Sequence, residues 1–152
     1  MSSNHFITSE KTWDCIAESF DKTRKKPWKQ VTDFISDLSQ SSIVCDLGCG
    51  NGRHLLPLAQ HGTYALGLDI SQKLLQITQT SVNTNKLPNV TLLHSNIVNI
   101  PLKDNSVDVA LYIASLHNIK GRKERVQSLK ELQRILTTNG RASDQRVVSM
   151  AG

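Results

Sequence analysis

Aromatic residues are scarce in this chain: two tryptophans, two tyrosines and three phenylalanines make up 5% of it. Single-strand binders stack successive bases on aromatic faces, so a stacking platform of that kind is excluded. Cysteine is rare as well. Cys15, Cys45 and Cys49 are an odd set whose spacing suits neither a disulfide framework nor a zinc ribbon, which leaves them as small space-filling residues. The five histidines are scattered without ligand spacing, and no metal is expected. No stretch approaches the roughly 18 consecutive apolar residues of a membrane span, and 1–11 lacks the apolar core of a secretory signal. A cytoplasmic protein with no membrane association is expected. With 38% hydrophobic and 20% charged residues, the 152-residue chain reads as one ordinary globular domain.

What stands out against this background is one loop. Ile43-Val44-Cys45-Asp46-Leu47 is an apolar run that breaks into Gly48-Cys49-Gly50-Asn51-Gly52 and then into a helical pattern, Leu55, Leu56, Leu58, Ala59. Glycines between a strand and a helix let the backbone take conformations closed to other residues, and they bring main-chain N–H groups against a nucleotide-like ligand. A second apolar run, Tyr64 to Leu68, ends in Asp69, which puts a carboxylate beside the loop where a ribose diol could be bound. Asp46 opens the loop where a pyrophosphate would be repelled. That argues against a dinucleotide and for a ligand with a cationic end.

Strand and helix patterns alternate through most of the chain. Strands are expected at Ile43 to Leu47, Tyr64 to Leu68, Val90 to His94 and Val107 to Ile113. Helices are expected at Lys11 to Asp21, Trp28 to Leu38, Asn51 to Gln60, Ser71 to Asn83 with Ser71 as N-cap, and Arg122 to Leu136. The order predicts an α/β, Rossmann-like doubly wound sheet with its ligand at the C-terminal ends of the strands. The net charge is +5, and Lys22, Arg24, Lys25, Lys26 and Lys29 are concentrated around the turn that joins the first two helices. Such a cluster suits either a polyanionic substrate or a solvated helix face.

The motif D-x-G-C-G-x-G followed by a strand ending in aspartate resembles the first motif and acidic loop of class I S-adenosylmethionine-dependent methyltransferases. Upstream, Trp13-Asp14-x-Ile16-Ala17-x-x-Phe20-x-x-Thr23-Arg24-Lys25-Lys26-Pro27-Trp28 is similar to a segment of the tRNA wobble-uridine carboxymethyl methyltransferases. Ile113 to Asn118 and Lys123 to Leu136 resemble further segments of that family, so the likeness runs from about Trp13 to Arg141. Asn118, Asn96 and Trp13 stand where the family has histidine, aspartate and tyrosine.

The resemblance implies S-adenosyl-L-methionine as cofactor, tRNA as substrate and a small zinc-ribbon-containing activator subunit as partner. It assigns Gly48, Cys49, Gly50 and Gly52 to the cofactor's methionine end, with Asp46 orienting the loop or the cofactor's ammonium group. Asp69 and Ile70 would hold the ribose side, and Asn96 and Ile97 would flank the adenine. Arg24, Lys26 and His117 would bind or orient the acceptor anion. A small-molecule methyltransferase, and a non-catalytic binding domain, are the competing readings.

The resemblance also implies a strand directly after Ala142, where Ser143-Asp144-Gln145 is polar instead. A back-translation of the tail read one nucleotide later gives Leu-Ile-Ser-Val-Trp, like the family's continuation. The expectation is therefore a flexible tail over 1–10, an incomplete methyltransferase domain over 11–142 and an aberrant, frameshifted tail over 143–152. The fold would be truncated after the fourth strand and its helix, leaving that strand's edge bare.

Overall fold

The computed structural model describes residues 3–113, 115–137 and 146–150, with side chains from Ser9 onward except at His117 and over 146–150. The boundary expected near 142 lies outside the described residues.

Five parallel strands form one sheet in the order β3-β2-β1-β4-β5. They are β1 (Ile43–Leu47), β2 (Tyr64–Asp69), β3 (Val90–His94), β4 (Val109–Ile113) and β5 (Arg146–Met150). The first four lie where the apolar runs place them. Val107, expected to open β4, makes only an isolated bridge to Leu136. Because a parallel sheet is covered on both faces, its strands carry apolar residues on both. Val44 and Leu111 pack with Val31, Ile35, Leu55 and Leu58 on one face, while Cys45, Leu47, Ala110 and Tyr112 pack with Leu132 and Ile135 on the other.

The expected bare edge on β4 is corrected by the pairing. β5 runs parallel to β4, with Val109 opposite Arg146 and Ile113 opposite Met150. Arg146 and Ser149 interrupt the apolar residues of β5, and polar Ser143-Asp144-Gln145 precedes it, so no continuous apolar run marks the strand.

The helices are α1 (Ser3–Thr23), α2 (Lys29–Ser36), α3 (Leu55–His61), α4 (Gln72–Thr84) and α5 (Arg122–Ile135). Helix α1 begins well before the expected start at Lys11, and Glu10 in that earlier part meets His94 of β3 at 3.2 Å. The helix packs on α4, where Asp14 Oδ1 accepts hydrogen bonds from Ser71 Oγ at 2.6 Å and from the Lys73 N–H at 3.2 Å. Local patterning carries no trace of such docking. Ser71 also caps α4 as expected, its Oγ accepting from the Leu74 N–H at 3.1 Å. Helix α3 starts at Leu55 instead of Asn51, because Gly48, Gly50 and Gly52 all have positive φ and hold the preceding residues out of helical geometry. No helix among the described residues is long and apolar enough to cross a membrane.

From β1 the chain moves outward to β2 and β3, then crosses back to β4 on the other side of β1. The crevice between the β1 and β4 ends is the topological switch point, where ligands of doubly wound sheets bind.

Ser71 joins two elements, so Ser71→Ala removes both a helix cap and the anchor of α1. A loss of about 1–2 kcal/mol in unfolding free energy is expected, the scale of an N-cap deletion. Urea denaturation checks it, and an unchanged midpoint would show that Asp14 and Ser71 do not support each other.

Candidate functional site

The glycine loop after β1 is tied down by its backbone. The N–H groups of Gly48 and Cys49 both donate to the Leu68 carbonyl, at 2.8 and 2.9 Å, which fastens the loop to the end of β2. Gly48 has φ +77, and a Cβ there would meet Ser115 Oγ at 2.5 Å. Ser115 follows β4 and donates to the Leu47 carbonyl at 2.9 Å, so the loops on the two sides of the switch point touch where only glycine fits. Gly52, at φ +82, serves packing instead: a Cβ there would meet Leu56 at 2.7 Å and Thr78 at 2.8 Å.

Two buried carboxylates stand at the strand ends. Asp69 Oδ2 accepts from the Gly50 N–H and Oδ1 from the Ser71 N–H, each at 2.8 Å. Burial pushes its carboxyl up, and the N–H groups of Ser71, Gly50 and Ile70 oppose that rise. Asp46, also buried, is pushed up to about 7, by burial first and then by the charge of Asp69, with Arg53 pulling the other way. Two carboxylates held this close disfavour joint ionisation, and a cation placed between them would relieve the cost.

Beside these groups opens a cavity of about 570 Å³. Asp46, Gly48, Cys49, Gly50, Asp69 and Ile70 line one part, and Ser95, Asn96, Ile97 and Val98 another. Asn96 Oδ1 accepts from the Val98 N–H at 3.0 Å, which fixes that loop's edge. Trp13, Phe20 and Arg24 of the α1 region cover the opening, and Arg53, Asn118 and Lys120 complete the rim. Arg24 thus lies at the cavity. Lys26 is exposed and, like Gly52, is not among the residues lining it. His117 belongs to the 3₁₀ turn Leu116–Asn118 after β4, and its side chain lies outside the described residues.

Sequence reasoning missed the residues that dock α1 and the basic turn onto the loop. Asn51 Nδ2 donates to Asp21 Oδ1 at 3.0 Å and to the Arg24 carbonyl at 2.9 Å. His54 Nε2 accepts from the Trp28 N–H at 3.1 Å. Burial, helped by the charge of Arg53, holds His54 down at about 4, so it stays neutral and keeps that acceptor. The Phe20 ring lies under Gly50, 3.3 Å from where a Cβ would be. Asn51 sits inside the glycine motif, yet nothing local announces a partner thirty residues upstream.

The match to known proteins covers this same region. Residues 45–143 match the family described as a methyltransferase domain. The chain belongs to that family. Among curated proteins, the tRNA (carboxymethyluridine(34)-5-O)-methyltransferase of Saccharomyces cerevisiae is 33% identical over 132 residues, covering 87% of this chain and 45% of the yeast protein. The protein of Mus musculus named tRNA (carboxymethyluridine(34)-5-O)-methyltransferase ALKBH8 is 33% identical over 127 residues, 84% of this chain and 18% of its own length. The chain therefore spans less than half of either relative. A solved SAM-dependent methyltransferase from Aquifex aeolicus shares the fold, with a TM-score of 0.66 at 23% identity over 78% of this chain and 66% of that one.

The raised carboxyl of Asp46 makes a pH prediction for this methyltransferase domain. In the unfolded chain aspartate titrates near 3.9, roughly three units below the value of about 7 in the fold, so the protonated carboxyl favours the folded state. That contribution is complete below about pH 4 and is lost as pH rises through about 7, on the order of 3–4 kcal/mol. Asp46→Asn should flatten the fall in ligand-free stability between pH 5 and 8, read by chemical denaturation. Equal slopes for the variant and the parent would show that Asp46 ionises normally.

Proposed function

We propose that this chain is a cytoplasmic S-adenosyl-L-methionine-dependent methyltransferase that converts the carboxymethyl group of a tRNA wobble uridine to its methyl ester. The observation that carries the reading is the opposed charge of the cavity: acidic at its floor, through Asp46 and Asp69, and basic at its rim, through Arg24, Arg53 and Lys120. A sulfonium cofactor and an anionic acceptor match those two ends. The two curated relatives described above act, by their names, on carboxymethyluridine of tRNA.

The residues present fit the cofactor. Gly48 and Gly50 line the cavity, and the buried Asp46 carboxylate lines it too, at the end suited to a cation. Asp69, beside the loop, is placed for a ribose diol, and Asn96 with Ile97 for the adenine. Bound there, S-adenosyl-L-methionine would supply an electrophilic methyl group on a sulfonium.

A carboxylate acceptor is ionised at neutral pH, so no general base is required. Its oxygen lone pair forms the new O–CH₃ bond as the S–CH₃ bond breaks and that electron pair returns to sulfur. No proton moves, and the charges of acceptor and sulfonium cancel. The chain's work is therefore to bind both partners in line at about 3–3.5 Å and keep water out. Trp13 and Phe20 cover the site, and Arg24 faces the acceptor side. His117, in the turn after β4, is proposed to orient the acceptor. We also infer the small zinc-ribbon-containing activator subunit as a partner, on the strength of the family resemblance.

The rim separates two residues that the basic motif groups together. Arg24→Ala should lower methylation of carboxymethyl-bearing tRNA by about 10–100-fold, the scale of roughly 1.5–3 kcal/mol for a charge-assisted hydrogen bond. Lys26→Ala should change it little, and both variants should keep their affinity for S-adenosylhomocysteine. Transfer of radiolabelled methyl to tRNA with the activator present, alongside calorimetry, makes the comparison. Full activity in Arg24→Ala would remove Arg24 from the acceptor site, and no activity in the parent on any carboxymethyl-bearing tRNA would refute the proposed reaction.

A further inference from the structure

Three cations of the fold are held in ion pairs with carboxylates. Arg134 binds Glu131 and Asp104 at 2.8 Å each, and Lys25 and Lys29 bind Asp21 and Asp33 at 2.6 Å each. The two arginines that line the cavity are held differently. Arg24 and Arg53 form no ion pair among the described residues, although both line the cavity. Each guanidinium lies instead on an aromatic ring, Arg24 over Phe20 at 4.6 Å and Arg53 over Trp28 at 5.2 Å.

They are also close enough to oppose each other. Burial pulls the Arg53 guanidinium below its ordinary value, and the charge of Arg24 adds to that pull, while Asp46 acts against it. Arg53 therefore senses both the carboxylate at the cavity floor and the cation at its mouth. A half-buried Arg53 beside the exposed, like-charged Arg24 raises the energy of the empty site, and an anion seated against both would offset that cost. A guanidinium fork matches a planar carboxylate bidentately, and ring stacking fixes its plane beforehand.

We propose that Arg53, acting with Arg24, grips the carboxylate of the acceptor nucleoside and sets it between the rim and the Asp46 end of the cavity. This assignment rests on the wobble-uridine reading and adds a residue that the basic motif does not contain. Phosphate groups of the RNA backbone carry the same charge, but Arg53 is half-buried and electrostatically in touch with Asp46. That depth favours a small carboxylate over a phosphodiester at the surface.

Trp13 and Trp28 are the only tryptophans of the chain, both line the cavity, and their fluorescence reports on occupancy. The parent chain and the variants Arg53→Gln and Arg53→Lys, each saturated with S-adenosylhomocysteine, would be titrated with 5-carboxymethyluridine, with uridine and with a stem-loop RNA carrying unmodified uridine. The parent should prefer carboxymethyluridine over uridine. Arg53→Gln should lose that preference by about tenfold or more, the factor of one charge-assisted contact, with S-adenosylhomocysteine affinity unchanged. Arg53→Lys should recover only part, since an ammonium restores charge but not the fork. Unaltered S-adenosylhomocysteine binding in the variants shows that they are folded. A parent that does not discriminate the two nucleosides overturns the wobble-uridine reading, and the carboxylate grip with it. If the parent discriminates and Arg53→Gln discriminates equally, the grip alone is overturned. A loss confined to the stem-loop RNA also overturns it, moving Arg53 to the phosphate backbone.

Discussion

The hydrogen bond from the Gly50 N–H to Asp69 Oδ2, 2.8 Å long and buried, is the contact on which the cavity depends. It closes a loop from the end of β1 onto the end of β2, and the bonds from Gly48 and Cys49 to the Leu68 carbonyl close it again from the main chain. A loop with three positive-φ glycines has high conformational entropy when free. Two strand ends share the task of holding it. Asp69 spends both oxygens on backbone donors, since Oδ1 takes the Ser71 N–H where α4 begins. The side chain that would meet a ribose is thus also the joint between the glycine loop, β2 and α4. A charge so buried stays affordable only because three N–H groups point at it.

From that joint the constraint spreads outward to α1. Ser71 carries the cap of α4 and donates to Asp14, while Asn51, inside the glycine loop, reaches Asp21 and the Arg24 carbonyl. Helix α1 is therefore anchored at two heights, and both anchors begin within two residues of Gly50 or Asp69. Its covering residues, Trp13 next to the first anchor and Phe20 next to the second, meet edge to face at 5.8 Å. The cover over the cavity is positioned by the same loop that forms its floor. Any shift of the loop moves the lid with it.

Much of this was legible in the sequence, and the failures have physical causes. β1 to β4 could be located because their apolar runs are covered on both faces, and the Asp46-to-Asp69 motif marked the strand ends at the switch point. Arg24, Asn96 and Ile97, placed at the site by resemblance, do line the cavity. What stayed hidden depends on contacts distant in sequence. The early part of α1 meets β3 through Glu10 and His94, and the role of Asn51 reflects a partner thirty residues away. Gly52 looked like a third ligand-facing glycine but yields its space to Leu56 and Thr78, a packing need that leaves the same letter in the sequence. β5 was missed because Arg146 and Ser149 break its apolar run and a polar stretch precedes it.

Charge is arranged along the cavity as a gradient, and the proposed reaction would use it from end to end. Asp46 and Asp69 make the floor negative at a cost that shows as a carboxyl held up to about 7, while Arg24 and Arg53 make the rim positive at a cost of mutual repulsion. Each end is strained while empty and relieved by a ligand of opposite sign. Transfer of a methyl group from sulfonium to carboxylate would cancel those two charges, leaving a thioether and an ester that neither end attracts as strongly. A site with uniform charge could bind one partner well but would repel the other. The separation of sign across one cavity would let the fold attract both partners of the proposed reaction, and it follows from placing the acids at the β1 and β2 ends and the arginines on the segments that fold over them.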